Sequence, residues 1–256
     1  MQFFNNRSSN VYIASLDASK AFDRVNHFRL FSILINKKFP IVFIKVIINW
    51  YSKLRTIVRW NGFESSNLRV LSGVRQGSVL SPLLFNCYVD RIISQLKYSG
   101  LGCHYANCYV GCSMYTDDLL LMSSSVLELQ KMLDLYSSER SFLGINFNYK
   151  KSHCLVIGPK YDINVSTLLL SGMPLLWANQ IKYLGIYVMG GKYFKVYTST
   201  MRRNFLASVN GILSKCPRAS DMTKLFLCET HCLPVITYAV ESLNRLSSQY
   251  KEINSW

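Results

Sequence analysis

The chain has 256 residues, half of them apolar, with 29 Lys and Arg against 14 Asp and Glu, a formal charge of +15. That content excludes a disordered tail and suffices for one sizeable core, or for a core domain with a smaller one behind it. The stretch 1–150 holds 17 basic and 9 acidic residues and 151–256 holds 12 and 5, so the charge is spread along the chain. It fits a polyanion that contacts much of the surface, nucleic acid above all, or a basic protein whose charge only prevents aggregation.

In chain order, Met1 to Arg7 lacks the charged-then-apolar order of a secretory signal. Val11 to Leu16 reads as a buried strand closed by Asp17. Ala21 to Lys38 carries Phe22, Val25, Phe28, Phe31 and Leu34 at helical spacing, and Pro40 opens a second helix reaching Lys53. No apolar stretch reaches the roughly 18 residues of a membrane span. The nearest, Ile41 to Tyr51, is broken by Lys45 and Asn49, so an intracellular protein without membrane contact is expected. Arg55 to Val70 places an Asn61-Gly62 turn between two β-like runs, the signal of a hairpin. Ser81-Pro82 starts a helix whose apolar face runs from Leu83 to Leu96.

The group Cys103, His104, Cys108 and Cys112 invites a zinc reading, yet paired knuckle spacings are missing and the alternation of apolar residues points to a hairpin strand. The other cysteines, such as Cys87, Cys154 and Cys228, sit among apolar neighbours and read as reduced core residues. Val126 to Leu143 reads as an amphipathic helix ended by Gly144. Cys154 to Ile157 and Ile181 to Val188 read as strands, Tyr193 to Leu213 as a helix, and helical patterns recur near Met222 to Cys232 and Val235 to Arg245. The layout is an α+β core with a helical extension, without the Gly-rich turns of a dinucleotide-binding unit.

Three aspartates carry the chemistry. Asp17 closes the first strand, and Asp117 and Asp118 follow Tyr115-Thr116 between the apolar runs Cys112 to Tyr115 and Leu119 to Met122. If those strands are neighbours, the carboxylates converge and repel, so either their pKa values rise or divalent metal neutralises them. Hard oxygen ligands with room for phosphates suit Mg²⁺, and two such ions about 3.5–4 Å apart serve in-line phosphoryl transfer. Asp23, beside Arg24 in a first helical turn, suits a dipole or ion-pair role instead.

The strings LDASKAFDRVNH (Leu16 to His27), SGVRQGSVLSPLLFN (Ser72 to Asn86), YTDD (Tyr115 to Asp118), LGINFNYKKS (Leu143 to Ser152) and YLG (Tyr183 to Gly185) occur in this order. Together they closely resemble the reverse transcriptase domain of non-LTR, LINE-type retrotransposons. The resemblance implies a right-hand polymerase palm, an antiparallel sheet with helices on one face, over residues 1–190, and a helical thumb or connection segment over 191–256. It implies that Asp17, Asp117 and Asp118 hold two Mg²⁺ ions, with Mn²⁺ as a substitute. Phe22 would lie under the incoming sugar and reject a ribose 2′-hydroxyl, where the residue alone would read as core. Gln76 and Gly77 would pack against the nascent base pair, and Arg75 would meet template or phosphate or stand as a solvated loop arginine. Lys151 would sit near the triphosphate and protonate or stabilise the leaving pyrophosphate. Tyr183, Leu184 and Gly185 would form the hairpin that aims the primer 3′ end.

The function so implied is RNA-directed DNA polymerisation from dNTPs on an RNA template and a DNA primer, with other domains of a longer polyprotein as partners. Thr116 stands where such elements commonly have alanine. Only 16 residues precede Asp17, where the family places its fingers. The expectation is therefore a palm-plus-thumb segment with fingers largely missing, and the alternative is a catalytically silent, nucleic-acid-binding remnant.

Overall fold

The computed structural model describes residues 3–4, 7–19, 21–144, 146–238, 240, 243 and 248–254. At its centre lies β1 (Val11–Ser19), whose Val11, Ile13, Ala14, Leu16 and Ala18 are all buried. The strand is apolar at successive positions from Val11 to Ala14, where both faces are covered, and alternates from Ala14 onward, with Ser15 and Asp17 on the less buried face. After a 3₁₀ turn at Phe22–Arg24 come helices α1 (His27–Asn36) and α2 (Ile41–Ser52). Next are the short strands β2 (Arg55–Thr56), β3 (Arg59–Trp60), β4 (Phe63–Glu64) and β5 (Leu68–Arg69), followed by helix α3 (Leu80–Tyr98). The small hairpin β6 (His104–Tyr105) and β7 (Cys108–Tyr109) precedes β8 (Cys112–Tyr115) and β9 (Asp118–Ser123). Then follow α4 (Val126–Leu143), β10 (Asn146–Phe147), β11 (His153–Ile157), β12 (Leu168–Leu170) and β13 (Met173–Trp177).

The main sheet runs β12-β13-β11-β1-β9-β8, with β10 also pairing β1; β11 and β13 are parallel and the other pairs antiparallel. The pleat sends Ala14, Leu16 and Ala18 of β1 and Leu119 and Leu121 of β9 into one core with α1, α3 and α4. Phe85, Tyr88 and Tyr136 are fully buried in that helical layer. The Tyr88 hydroxyl donates to Leu143 O at 2.7 Å, which satisfies a buried polar group. Asp17 and Asp118 stand at alternate positions, on the opposite face of the sheet from those core residues.

The chain divides into two compact units, Met1–Ile181 with Gly190–Tyr193 and Lys182–Met189 with Phe194–Trp256. The strand β14 (Gln180–Tyr183) leads from the first into the second and joins β15 (Ile186–Met189) and β16 (Lys195–Val196) in a three-stranded sheet. The second unit continues with α5 (Ser199–Lys215), α6 (Asp221–His231), α7 (Leu233–Thr237) and α8 (Ser248–Asn254). Its small core gathers Val196, Ile236, Leu243 and Ile253.

Several boundaries depart from the sequence expectation. The helix expected from Ala21 starts at His27, because Val25 turns extended (ψ 115°) and the Asn26 side chain caps the next turn by accepting from Arg29 N at 3.1 Å. The run Ile181 to Val188 is two strands, broken at Leu184 and Gly185 with φ of 46° and 81°. The helix expected from Tyr193 begins at Ser199, after β16. Of the pattern Val235 to Arg245, α7 covers the start, and residues 239, 241–242 and 244–245 lie outside the described residues. The Asn61-Gly62 hairpin forms as expected, Trp60 pairing Phe63 and both turn residues at positive φ. Cys103 and Cys112 are free thiols, pushed up to about 11 and about 12 chiefly by burial. Among the described residues no helix is long and apolar enough to cross a membrane.

Candidate active site

The carboxylates are set by strand register. β1 and β9 pair Asp17 with Asp118, one rung beyond Leu16 with Leu119, and β8 closes against β9 with Tyr115 opposite Asp118. The two-residue turn between β8 and β9 puts Thr116 at φ 53°, and its hydroxyl donates to Asp117 Oδ1 at 2.9 Å. Ala18 N donates to Asp117 O at 3.1 Å, tying that turn to β1 beside Asp17. From the other side the 148–152 turn grips the same strand. Asp17 N donates to Ser152 Oγ at 3.3 Å, Asn148 N donates to Asp17 O at 3.0 Å, and Ser152 Oγ donates to Asn148 O at 3.0 Å. That turn delivers Lys151, whose Nζ lies 3.7 Å from Asp17 Oδ2.

Burial raises the Asp118 pKa above its ordinary value, and the negative charges of Asp117 and Asp17 raise it further. Both neighbouring negative charges therefore act on Asp118. Among the described residues no group of three or more His, Cys, Asp or Glu side chains is gathered closely enough to hold a metal ion by itself. Mg²⁺ is held by one or two carboxylates with water and substrate phosphates rather than by an all-protein cage, so an open carboxylate set fits it.

Beside the carboxylates is a cleft of about 460 Å³, lined by Phe22, Gln76, Gly77, Ser78, Val79, Ser81, Pro82 and Asp117. The Phe22 ring stacks on Phe85 with centroids 4.6 Å apart, so its position is fixed from below by the helical layer. The loop carrying Gln76 and Gly77 is pinned to the Phe22 turn by Val74 N to Phe22 O and Gly73 N to Val25 O, both 2.8 Å. Buried His27 contacts Gly73 O through Nε2 at 2.8 Å. Gly73 is required here, since at φ +90° a Cβ would meet Asp23 O at 2.9 Å. Gly77 (φ +79°) has open space instead. Gln76 Nε2 donates to Asp23 Oδ1 at 3.3 Å, which gives Asp23 a task in the loop that the sequence did not indicate.

Residues 1–188 match the reverse transcriptase (RNA-dependent DNA polymerase) family. The chain belongs to that family. Its resemblance to non-LTR retrotransposons is borne out by relatives. It is 34% identical over 149 residues to the retrovirus-related Pol polyprotein of a type-2 retrotransposable element of Drosophila melanogaster, covering 58% of this chain and 14% of that one. It is 31% identical over 185 residues to the Pol polyprotein of a type-1 retrotransposable element of Nasonia vitripennis, covering 69% and 18%. The chain thus spans under one fifth of the length of these two relatives. A solved telomerase of Candida tropicalis, in complex with a fragment of telomeric RNA, superposes with a TM-score of 0.55 at 12% identity, over 97% of this chain and 42% of that one. That likeness is one of fold, the α+β right-hand polymerase.

In this reverse transcriptase chain Asp17, Asp117, Asp118, Phe22, Gln76, Gly77 and Lys151 all belong to the first unit. Arg75 is exposed there and lines a neighbouring cleft with Arg55. Tyr183, Leu184 and Gly185 form a turn of the second unit. There the Tyr238 hydroxyl donates to Leu184 O at 2.8 Å, and a Cβ on Gly185 would approach the Tyr238 ring to 3.2 Å. Sequence reasoning missed Gly73, His27, Ser152 and Tyr238 as supports. Gly73, His27 and Ser152 gave a signal, by lying within the matched strings, and Tyr238 gave none.

Proposed function

We propose that this chain is an RNA-directed DNA polymerase that extends a DNA primer on an RNA template with dNTPs, within a longer polyprotein. The observation that carries the reading is the register of Asp17 with Asp118, with Asp117 on the wall of the cleft that Phe22, Gln76 and Gly77 share. Asp17, Asp117 and Asp118 hold two divalent ions, Mg²⁺ with Mn²⁺ as a substitute. When bound, these supply Lewis acidity at the primer 3′-hydroxyl and charge neutralisation at the leaving group.

The chain's own residues do the rest. The Phe22 ring, backed by Phe85, occupies the space that a 2′-hydroxyl would need. Gly77, without a side chain, lets backbone approach the nucleotide, and Gln76 is steadied by Asp23. Lys151 donates a proton to the pyrophosphate oxygen as it leaves. Arg75 meets the template, and the Leu184-Gly185 turn orients the primer end. The RNA in the telomerase complex and the polyprotein relatives support an RNA partner and further domains.

The test is primer extension on an RNA template with Mg²⁺. Wild-type extension abolished by Asp117→Asn is the expected result, whereas equal extension by both proteins removes these carboxylates from the mechanism.

A further inference from the structure

Cys228 and Cys232 stand one helical turn apart at the end of α6, in the second unit. Cys228 is half-buried and Cys232 fully buried, both are free, and the Cys232 thiol donates to the Cys228 sulfur. A small solute can therefore reach the first thiol, and the second is already in contact with it.

The helix ends at this pair. Cys232 N donates to Cys228 O at 2.8 Å, and Cys232 is then the residue between α6 and α7. Pro234, in the first turn of α7, has no N–H to offer the Thr230 carbonyl, so the bonding that would stiffen a continuous helix is interrupted here. α7 is five residues long and leads directly to Tyr238. The Tyr238 hydroxyl donates to Leu184 O at 2.8 Å, and its ring lies beside Gly185. Leu184 holds φ 46°, a conformation that a branched side chain disfavours, so the turn depends on outside support. A displacement of Cys232 passes through one short helix to the Leu184-Gly185 turn.

We propose that Cys228 and Cys232 form a reversible disulfide that displaces α7 and frees the Leu184-Gly185 turn from Tyr238. The oxidant is a peroxide. Hydrogen peroxide converts the Cys228 thiol to a sulfenic acid and leaves as one water. The Cys232 sulfur then attacks the Cys228 sulfur, the S–S bond forms, and the sulfenic oxygen departs with two protons as a second water. The two thiols lose two electrons and the peroxide gains them; a dithiol reductant reverses the step by exchange. Side chains one turn apart on a helix keep their Cβ atoms about 5–6 Å apart. A disulfide needs about 3.5–4.5 Å, so the bond closes only if the end of α6 unwinds and Cys232 moves. That movement is what makes the pair a switch rather than a passive crosslink. The inference rests on the polymerase reading only for its consequence, which is that oxidation releases the turn that orients the primer end.

The test treats the full chain with hydrogen peroxide and compares it with the reduced chain and with Cys228→Ser and Cys232→Ala treated alike. The tryptic fragment 225–245 holds these two cysteines and no other. After oxidation it is expected to be lighter by about 2 Da, the two hydrogens lost, and to regain them in dithiothreitol. Amide exchange over Lys182–Met189 should quicken by about two- to tenfold in the oxidised wild type, the order that loss of one hydrogen bond gives, and stay unchanged in both variants. Oxidation should also slow primer extension by the wild type and spare Cys228→Ser. A fragment that gains oxygen instead of losing hydrogen, or a disulfide that leaves exchange over Lys182–Met189 unchanged, overturns the proposal. Mass and exchange are read without nucleotides, so a chain that shows both changes but extends no primer when reduced marks failure of the polymerase reading alone.

Discussion

Asp17 and Asp118, 101 residues apart in sequence, are direct neighbours across β1 and β9. An antiparallel pair in register points both side chains to one face of the sheet, so the folding of the strands is itself what brings two negative charges together. The resulting repulsion, with burial, raises the Asp118 pKa. A carboxyl whose folded pKa is raised adds stability below its unfolded pKa and loses it as pH rises through the folded value. At neutral pH the ionised set therefore weakens the metal-free fold.

Neutralising Asp118 should relieve that cost. In metal-free buffer at pH 7, Asp118→Asn is expected to raise Tm by no more than about 2–4 °C, the shift that about 1 kcal/mol produces in a chain of this size. The gap from wild type should close at low pH, where Asp118 is protonated anyway, and open as pH rises through its raised pKa. Mg²⁺ should raise the wild-type Tm by mass action, about 2.7 kcal/mol at a hundred times Kd, and leave Asp17→Asn with Asp118→Asn unmoved. Thermal melts across pH, with and without Mg²⁺, decide this; a variant less stable than wild type at neutral pH would contradict it.

The two glycines of the Ser72–Gly77 loop should respond differently to a methyl group. Gly73→Ala forces a Cβ to within 2.9 Å of Asp23 O at φ +90°, and backbone cannot swing aside as a side-chain end can. A loss of about 2–3 kcal/mol or more, with detachment of the loop from the Phe22 turn, is expected. Gly77→Ala meets open space at φ +79°, so only the strain of about 1–2 kcal/mol remains while nucleotide approach is obstructed. Urea melts should rank Gly73→Ala as the less stable, and KM for dNTP should rise in Gly77→Ala. The reverse ranking would mean that the loop does not hold this conformation.

Why one glycine was legible and the other was not is instructive. Gly73 and Gly77 lie in the same recognisable string, yet the string implies a task only for Gly77; the need for Gly73 arises from the approach of the Asp23 backbone fifty residues away, which no local pattern encodes. Periodicity located α2, α3 and α4 and the Asn61-Gly62 hairpin because local signals and tertiary packing agree there. It overran at Ala21, because Phe22 and Val25 reach the core from a 3₁₀ turn and an extended residue and mimic helical spacing. It merged β14 and β15 because Leu184 takes positive φ, which its side chain disfavours, with the Tyr238 hydroxyl bonded to its carbonyl. The carboxylates were legible as residue types. Their register depends on which strands pair, and that is a property of the whole sheet.

Lys151 offers a separation of electrostatics from proton transfer. Its side chain is 70% exposed and its contact with Asp17 is 3.7 Å long, so solvent screens the pair and Lys151→Ala should shift stability by less than about 1 kcal/mol. If the ammonium protonates the leaving pyrophosphate, kcat should fall about 10²- to 10⁴-fold. Lys151→Arg should keep dNTP affinity while failing to restore kcat, because a guanidinium does not give up its proton. A rise in KM alone, with kcat intact, would reduce the residue to a point charge.

The sugar-selecting role proposed for Phe22 can be separated from its role in packing. Its ring is half-buried, packed on Phe85 below and open to the cleft above, so it serves the core and the cavity at once. Phe22→Val keeps an apolar, β-branched side chain over Phe85 but removes the outer part of the ring, where a 2′-hydroxyl would otherwise collide. Stability should drop by about 1–2 kcal/mol, less than the loss from a fully buried aromatic. Discrimination, read as the ratio of kcat/KM for a dNTP to that for the matching ribonucleotide, should fall at least about tenfold, mainly because ribonucleotide incorporation rises. Single-nucleotide extension with each substrate measures this directly. A variant that is destabilised yet rejects ribonucleotides as strongly as wild type would make Phe22 a core residue that merely borders the cleft, and the choice of sugar would then rest on other groups of the wall.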